Sequence, residues 1–165
     1  MIDEYVVKHF EHISTRSFDE IIAIFESTVG YGHDGKFING MMAVSRVEDY
    51  ERLCSSFLGS SGFMHVLTFD QGKWLSLYGP PARAKQYTYG NPLLAATMVK
   101  HDIGVCLQVP FRILIYEAAG GEVHLSYDLP SSLVARLHNV EVDEAALRID
   151  PKVVAFATEL AGAPA

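Results

Sequence analysis

Phe111-Arg112-Ile113-Leu114-Ile115-Tyr116-Glu117-Ala118-Ala119-Gly120-Gly121-Glu122-Val123-His124-Leu125-Ser126-Tyr127 is the stretch on which the fold turns. Two runs rich in β-branched and aromatic residues flank a small glycine-containing link, the pattern of an antiparallel hairpin. With a four-residue loop, Ala118 to Gly121, the register sets Arg112 opposite Tyr127. The two then share a face with Leu114 and Leu125.

Reading outward, Arg83 to Tyr89 and Tyr5 to Ser14 are further strands. Phe63 to Phe69 alternates, with Phe63, His65, Leu67 and Phe69 on one face. Asp70-Gln71-Gly72 reads as a tight turn and Lys73 to Tyr78 as the returning strand of that hairpin. Helices fall between the strands. Ser17-Phe18-Asp19-Glu20 is a capping box, in which the serine hydroxyl and the glutamate each satisfy a free amide at the helix start. Phe18, Ile21, Ile22, Phe25 and Val29 follow at helical spacing. A second box at Ser45 to Glu48 opens a helix whose buried stripe is Val47, Tyr50, Cys54 and Phe57. Asn91-Pro92 opens a third helix, Asn as cap and Pro at the first helical position. A short helix starts at Pro130, and Asp150-Pro151 caps a last one, about 150–162. Residues 30–40 hold four glycines and read as a loop.

Strands that arrive mostly as hairpins, without a regular βαβ alternation, predict an α+β fold: a mostly antiparallel sheet with helices packed on one face. The other face is then wet or covered by a second copy. Tyr87, Tyr89, Trp74 and Tyr78 offer the aromatic surface for a homodimer.

The 165 residues predict a single α+β domain, 1–165, long enough to bury a core without disulfides. A net charge of −7 argues against a nucleic-acid platform and against an anionic membrane surface. No apolar run reaches about 18 residues, so no membrane span is expected. Met1-Ile2-Asp3-Glu4 is acidic where a secretory signal is basic, which predicts a cytoplasmic protein. Cys54 and Cys106 stand in apolar surroundings with no Cys-x-x-Cys spacing, and read as free thiols acting as small hydrophobes.

Three motifs stand in order: Gly90-Asn91-Pro92; Pro110-Phe111-Arg112 running to Tyr116-Glu117; and Ser126-Tyr127-Asp128-Leu129-Pro130. Together with the upstream Ser17 to Glu20, this combination resembles the bacterial and archaeal family called domain of unknown function 302, over about residues 5–135. The resemblance implies a compact α+β sandwich, dimeric, and brings no established activity and no catalytic residues.

Three places carry candidate chemistry. Gly90-Asn91 at a helix start is a potential anion site, with Arg83 and Lys85 on the preceding strand adding charge; the plain alternative is a helix cap. Arg112 with Tyr127 needs a partner on an apolar face, either Asp128 or a bound carboxylate or phosphate. His65 is a core histidine, an acid–base group or an axial haem ligand. His9 and His12 point to opposite faces of a strand and do not chelate together, and His33 with Asp34 lacks a third ligand, so no metal is expected. Asp128-x-Pro130-Ser131-Ser132 reads as a capped helix start, and no Gly-x-Ser-x-Gly elbow is present.

The leading expectation is a homodimeric module binding a small, partly apolar, anionic molecule near Gly90, Asn91, Arg112 and Tyr127. An alternative is a cofactor-independent enzyme with His65 or Asp128 as general base and Arg112 stabilising negative charge. A third is a structural subunit that recruits another protein.

Overall fold

A computed structural model describes residues 2–32 and 34–162. His33 and the tail beyond Gly162 lie outside them. The protein is α+β, with a six-stranded, mostly antiparallel sheet. Its strands are β1 (His9–Ile13), β2 (Gly30–Tyr31), β3 (Met64–Asp70), β4 (Ala84–Gly90), β5 (Phe111–Glu117) and β6 (Val123–Asp128). They run in the order β1-β6-β5-β4-β3-β2, and only β2 joins its neighbour in parallel. The helices are α1 (Phe18–Thr28), α2 (Lys36–Ala43), α3 (Val47–Phe57), α4 (Gln71–Leu75), α5 (Pro92–Val99), α6 (Pro130–Val134) and α7 (Val140–Ala161).

The core lies between one sheet face and α1, α6 and α7. From the strands come Tyr87, Tyr89, Ile113, Ile115, Leu125 and Tyr127, all inward-facing at alternate positions. From α1 come Phe18, Ile21, Ile22 and Phe25, the stripe the sequence spacing predicts, and the Ser17 capping box forms as expected. Phe25 stacks on Tyr87 with ring centroids 4.0 Å apart. Tyr87 and Tyr89 are therefore core residues, not the dimer surface expected of them, and only Trp74 and Tyr78 of that set are exposed.

Several expectations are corrected. The stretch 30–40 is not one loop: it contains β2 and the start of α2, whose Phe37 is buried against Cys54 and Met64. Packing, not local propensity, makes this helix. The second capping box is absent, since Arg46 precedes α3 with no side-chain cap bond, and Val47 is exposed. Lys73 to Tyr78 is no strand. Asp70 accepts from the Lys73 amide at 2.9 Å and starts α4 instead. A bulge between His65 and Leu67 breaks the alternation of β3. Phe63 and His65 remain buried while Leu67 and Phe69, opposite Thr88 and Gln86, turn to the outer face.

α7 starts at Val140, capped by Asn139, ten residues before the expected boundary. Pro151 lies inside it. The proline removes the amide that would bond the Leu147 carbonyl, and Leu147 is on the solvated side, where water can take that bond. Asp150 caps α6 across the interface, accepting from the Ser131 amide at 3.0 Å and its hydroxyl at 2.5 Å. Cys54 is buried as expected, whereas Cys106 is exposed. Among the described residues, no helix is long and apolar enough to cross a membrane.

Candidate functional site

The hairpin β5–β6 closes differently from a four-residue loop. The Ala118 carbonyl accepts from the Gly121 amide at 2.8 Å and the Ala118 amide donates to Glu122, with Gly121 at φ +85°. This is a tight turn followed by a left-handed glycine. It moves the register by one residue, so that Ile113, not Arg112, pairs with Tyr127. Arg112 faces outward and is exposed, while Tyr127 faces the helices and is buried. The expected Arg112–Tyr127 pairing is thereby corrected: the two lie on opposite faces of the sheet.

The other expected site residues also separate. Asn91 is saturated as a cap, its Oδ1 accepting from the Leu93 and Leu94 amides at 2.9 and 3.2 Å while its Nδ2 donates to the Gly62 carbonyl at 2.9 Å. Its own side chain fills the donors an anion would use. Gly90 and Asn91 instead border an apolar cavity of about 350 Å³, walled by residues including Phe37, Met41, Tyr50 and Ala95. Lys85 lies 3.1 Å from Glu26, which also accepts from the Tyr87 hydroxyl at 2.8 Å. His65 is buried among the rings of Phe25, Tyr31 and Tyr87, within the core and away from the cavities described here.

Tyr127 accounts for His12. On the inward side of β1, His12 Nε2 lies 3.1 Å from the Tyr127 hydroxyl, and the rings stack. Burial pushes the Tyr127 hydroxyl up to about 12 and the His12 imidazole down from its ordinary value. With its folded pKa depressed, His12 binds fewer protons than in the unfolded chain over the window below the ordinary value of about 6.5. Stability is therefore expected to fall as pH drops through that value. Urea midpoints for the native protein and His12→Gln, compared at about pH 7.5 and about pH 5.5, check this. The difference between the two pH values shrinks in the variant, and an equal difference refutes the contribution.

The polar side chains gather on the outer face. Along β6, Val123, Leu125 and Tyr127 point to the helices, so His124, Ser126 and Asp128 point away. β1 pairs with it antiparallel: His9 opposite Asp128, Glu11 opposite Ser126, Ile13 opposite His124. The His9 ring spans the gap. Its Nδ1 lies 2.8 Å from Asp128 Oδ1 and its Nε2 lies 3.1 Å from Ser126 Oγ. A carboxylate only accepts, so Nδ1 carries the proton. In the neutral ring Nε2 then accepts from the serine hydroxyl.

Beside this line, Glu11 Oε1 accepts from the Tyr116 hydroxyl at 2.5 Å and lies 2.6 Å from His124 Nδ1. The Tyr116 hydrogen bond, then His124, hold the Glu11 carboxyl below the usual range despite some opposing desolvation.

His9, Tyr116, Ser126 and Asp128 border a groove of about 710 Å³ on the outer sheet face. Gln86, Arg112, Leu114, Ser126 and Asp128 form its floor; Trp74 and Leu75 of α4 form a wall. The wall is fixed to the floor through Gln71, which accepts from Trp74 Nε1 at 2.8 Å and donates to Gln86 at 3.1 Å. Gly72 permits this approach, since a Cβ there would sit 2.3 Å from the Ala82 carbonyl. At one end Arg83 is engaged by Asp19 and Glu117. Arg112 makes no hydrogen bond or ion pair among the described residues, so its guanidinium is available on the groove floor, on the same face as Asp128. No group of three or more His, Cys, Asp or Glu among the described residues is placed to hold a metal ion.

Sequence reasoning found Arg112 and Asp128 but missed Ser126 and the role of His9. The available signal was Ser-x-Asp within a strand, a spacing that puts both side chains on one face.

No curated protein matches the chain. Its fold aligns with the crystal structure of an uncharacterized conserved protein DUF302 from Bacillus stearothermophilus over 93% of this chain and 97% of that one, with a TM-score of 0.64 and 16% identity. The model of the domain of unknown function DUF302 matches residues 42–160, reaching further toward the C-terminus than the motifs suggest and taking in nearly all of α7. Of the motif residues, Arg112, Tyr116, Glu117, Ser126 and Asp128 all border the groove. With most of its length matched and the same fold in a solved relative, the chain belongs to the DUF302 family.

Proposed function

We propose that the protein is a small-molecule-binding module whose ligand occupies the groove between the outer sheet face and α4. The ligand carries a carboxylate or phosphate and an apolar body. Arg112 takes the anionic group, which its planar guanidinium can grip through two parallel hydrogen bonds. Trp74, Leu75 and Leu114 meet the apolar part. The observation that carries this reading is the guanidinium of Arg112, which has no hydrogen-bond or ion-pair partner among the described residues, in a groove where Arg83 is already engaged by Asp19 and Glu117. The site proposed in the groove leaves out Asn91, whose side chain caps α5, and the buried His65, and the side chains of Lys85 and Tyr127 turn toward the helix side.

Calorimetric titration with phenylacetate, phenyl phosphate and short alkyl carboxylates tests the proposal. Arg112→Met is expected to weaken binding at least about tenfold, because charge-assisted hydrogen bonds contribute roughly 1.5–3 kcal/mol. Its melting temperature should stay near that of the native protein, since exposed substitutions away from special features change stability little. Unchanged affinity in a folded Arg112→Met protein would sink the assignment.

A further inference from the structure

We propose that the groove is also a hydrolytic site, in which Ser126 is the nucleophile, His9 the general base and Asp128 the positioning residue, acting on esters of carboxylic acids. This rests on the groove as the place where substrate lies. It goes beyond binding by using a different set of atoms.

The geometry supplies the connections such chemistry needs. A serine hydroxyl is a weak nucleophile unless a base is within hydrogen-bond reach and held in the right tautomer by a third group. Ser126 Oγ is 3.1 Å from His9 Nε2, and His9 Nδ1 is 2.8 Å from Asp128 Oδ1. All three side chains border one groove, so the nucleophile is presented to a cavity rather than to core. Strand periodicity enforces the arrangement: Ser126 and Asp128 are two residues apart on β6, and His9 is placed opposite Asp128 by the β1 register. The neighbouring carboxylate, Glu11, is held by Tyr116 and lies against His124.

In the reaction, Ser126 Oγ bonds to the ester carbonyl carbon while its proton passes to His9 Nε2. The carbonyl oxygen becomes an oxyanion, which Arg112 on the floor of the same groove stabilises. Collapse breaks the carbon–oxygen bond to the alcohol. The alcohol takes the proton from His9 and departs, leaving an acyl-serine. Water repeats the sequence: its proton goes to His9, its oxygen bonds to the acyl carbon, and Ser126 leaves with the proton returned. The second product is a carboxylate, the same anion class that the binding proposal assigns to Arg112.

The test uses the full-length protein and a fluorophosphonate probe, whose fluoride is displaced by an activated serine to leave a stable phosphonyl adduct read by intact mass and peptide mapping. One adduct at Ser126 is expected. It should be absent in Ser126→Ala and form at least a hundredfold more slowly in His9→Gln, both with native melting temperatures. Asp128→Asn should slow the adduct rate at least tenfold with folding retained, and Asp128→Glu should recover part of it, a pattern that a structural role would not give. Hydrolysis of p-nitrophenyl butyrate should fall in the same order. No adduct, an adduct elsewhere, or equal rates in native protein and Ser126→Ala overturns the inference. If phenylacetate still binds in an Arg112-dependent way, only the hydrolytic step has failed; if that is lost as well, the groove reading fails with it.

Discussion

Gly30→Ala and Gly59→Ala are each expected to destabilise the fold by about 3 kcal/mol, at the upper end of the usual cost of overpacking. The chain leaving α1 and the chain leaving α3 cross here in backbone contact. Both glycine amides donate to one acceptor, the Phe63 carbonyl, at 2.8 and 2.9 Å. A Cβ on Gly30 would lie 1.8 Å from the Phe57 carbonyl oxygen, and one on Gly59 would lie 2.1 Å from the Thr28 carbonyl oxygen. The obstructing atoms are main chain and cannot rotate away, so the chain at the end of α1 must move apart from the chain at the end of α3. Because both methyl groups spoil the same crossing, the double variant should cost less than the sum of the two. Gly79→Ala and Gly120→Ala, where a Cβ meets nothing within 4 Å, serve as controls. These should change stability by no more than about 0.5 kcal/mol. Urea unfolding reads all five, and losses below about 1 kcal/mol at the crossing would mean that the two chain segments part easily.

Phe25→Ala is expected to cost about 3–5 kcal/mol, the range for removing a buried aromatic ring. For a chain of this size that lowers the melting temperature by on the order of 10 °C. The magnitude follows from position. Phe25 is fully buried on α1 and meets the rings of Tyr87 and Tyr89 on β4, His65 on β3 and Phe156 on α7. One ring thus joins the central strands to both long helices, and its neighbours are held by their own strands and cannot close the void. Phe25→Leu refills part of the volume and should recover more than half of the loss. Equal melting of Phe25→Ala and Phe25→Leu would show that the cavity collapses freely.

The fold was legible where one local signal was enough. Alternating β-branched residues marked β5 and β6, a capping box marked α1, and Asn-Pro marked α5. It was not legible where packing overrode local chemistry. Four glycines in residues 30–40 suggested a loop, yet Phe37 binds Lys36–Ala43 to Cys54 and Met64 as a helix. Trp74 suggested a strand, but the Asp70 cap and the room at Gly72 let the chain coil into α4.

The site was harder to read. A single left-handed glycine, Gly121, moved the register by one and sent Arg112 and Tyr127 to opposite faces. His9 and Ser126 lie 117 positions apart. No local spacing joins them. Their meeting depends on which strand lies beside β6 and in what register, which only the assembled sheet determines.

The pairing of β1 with β6 also carries a consequence for synthesis. The strand that receives His9 is made more than a hundred residues after it. At synthesis rates of about 5–20 residues per second, His9 waits many seconds for Asp128 and Ser126. Until then the first strand has no β6 edge to join, and its serine and carboxylate partners do not yet exist. The line of His9, Ser126 and Asp128 along the groove therefore forms only when β1 joins β6 at the edge of the sheet. Any fragment lacking either strand lacks that line, however well its remaining strands are formed.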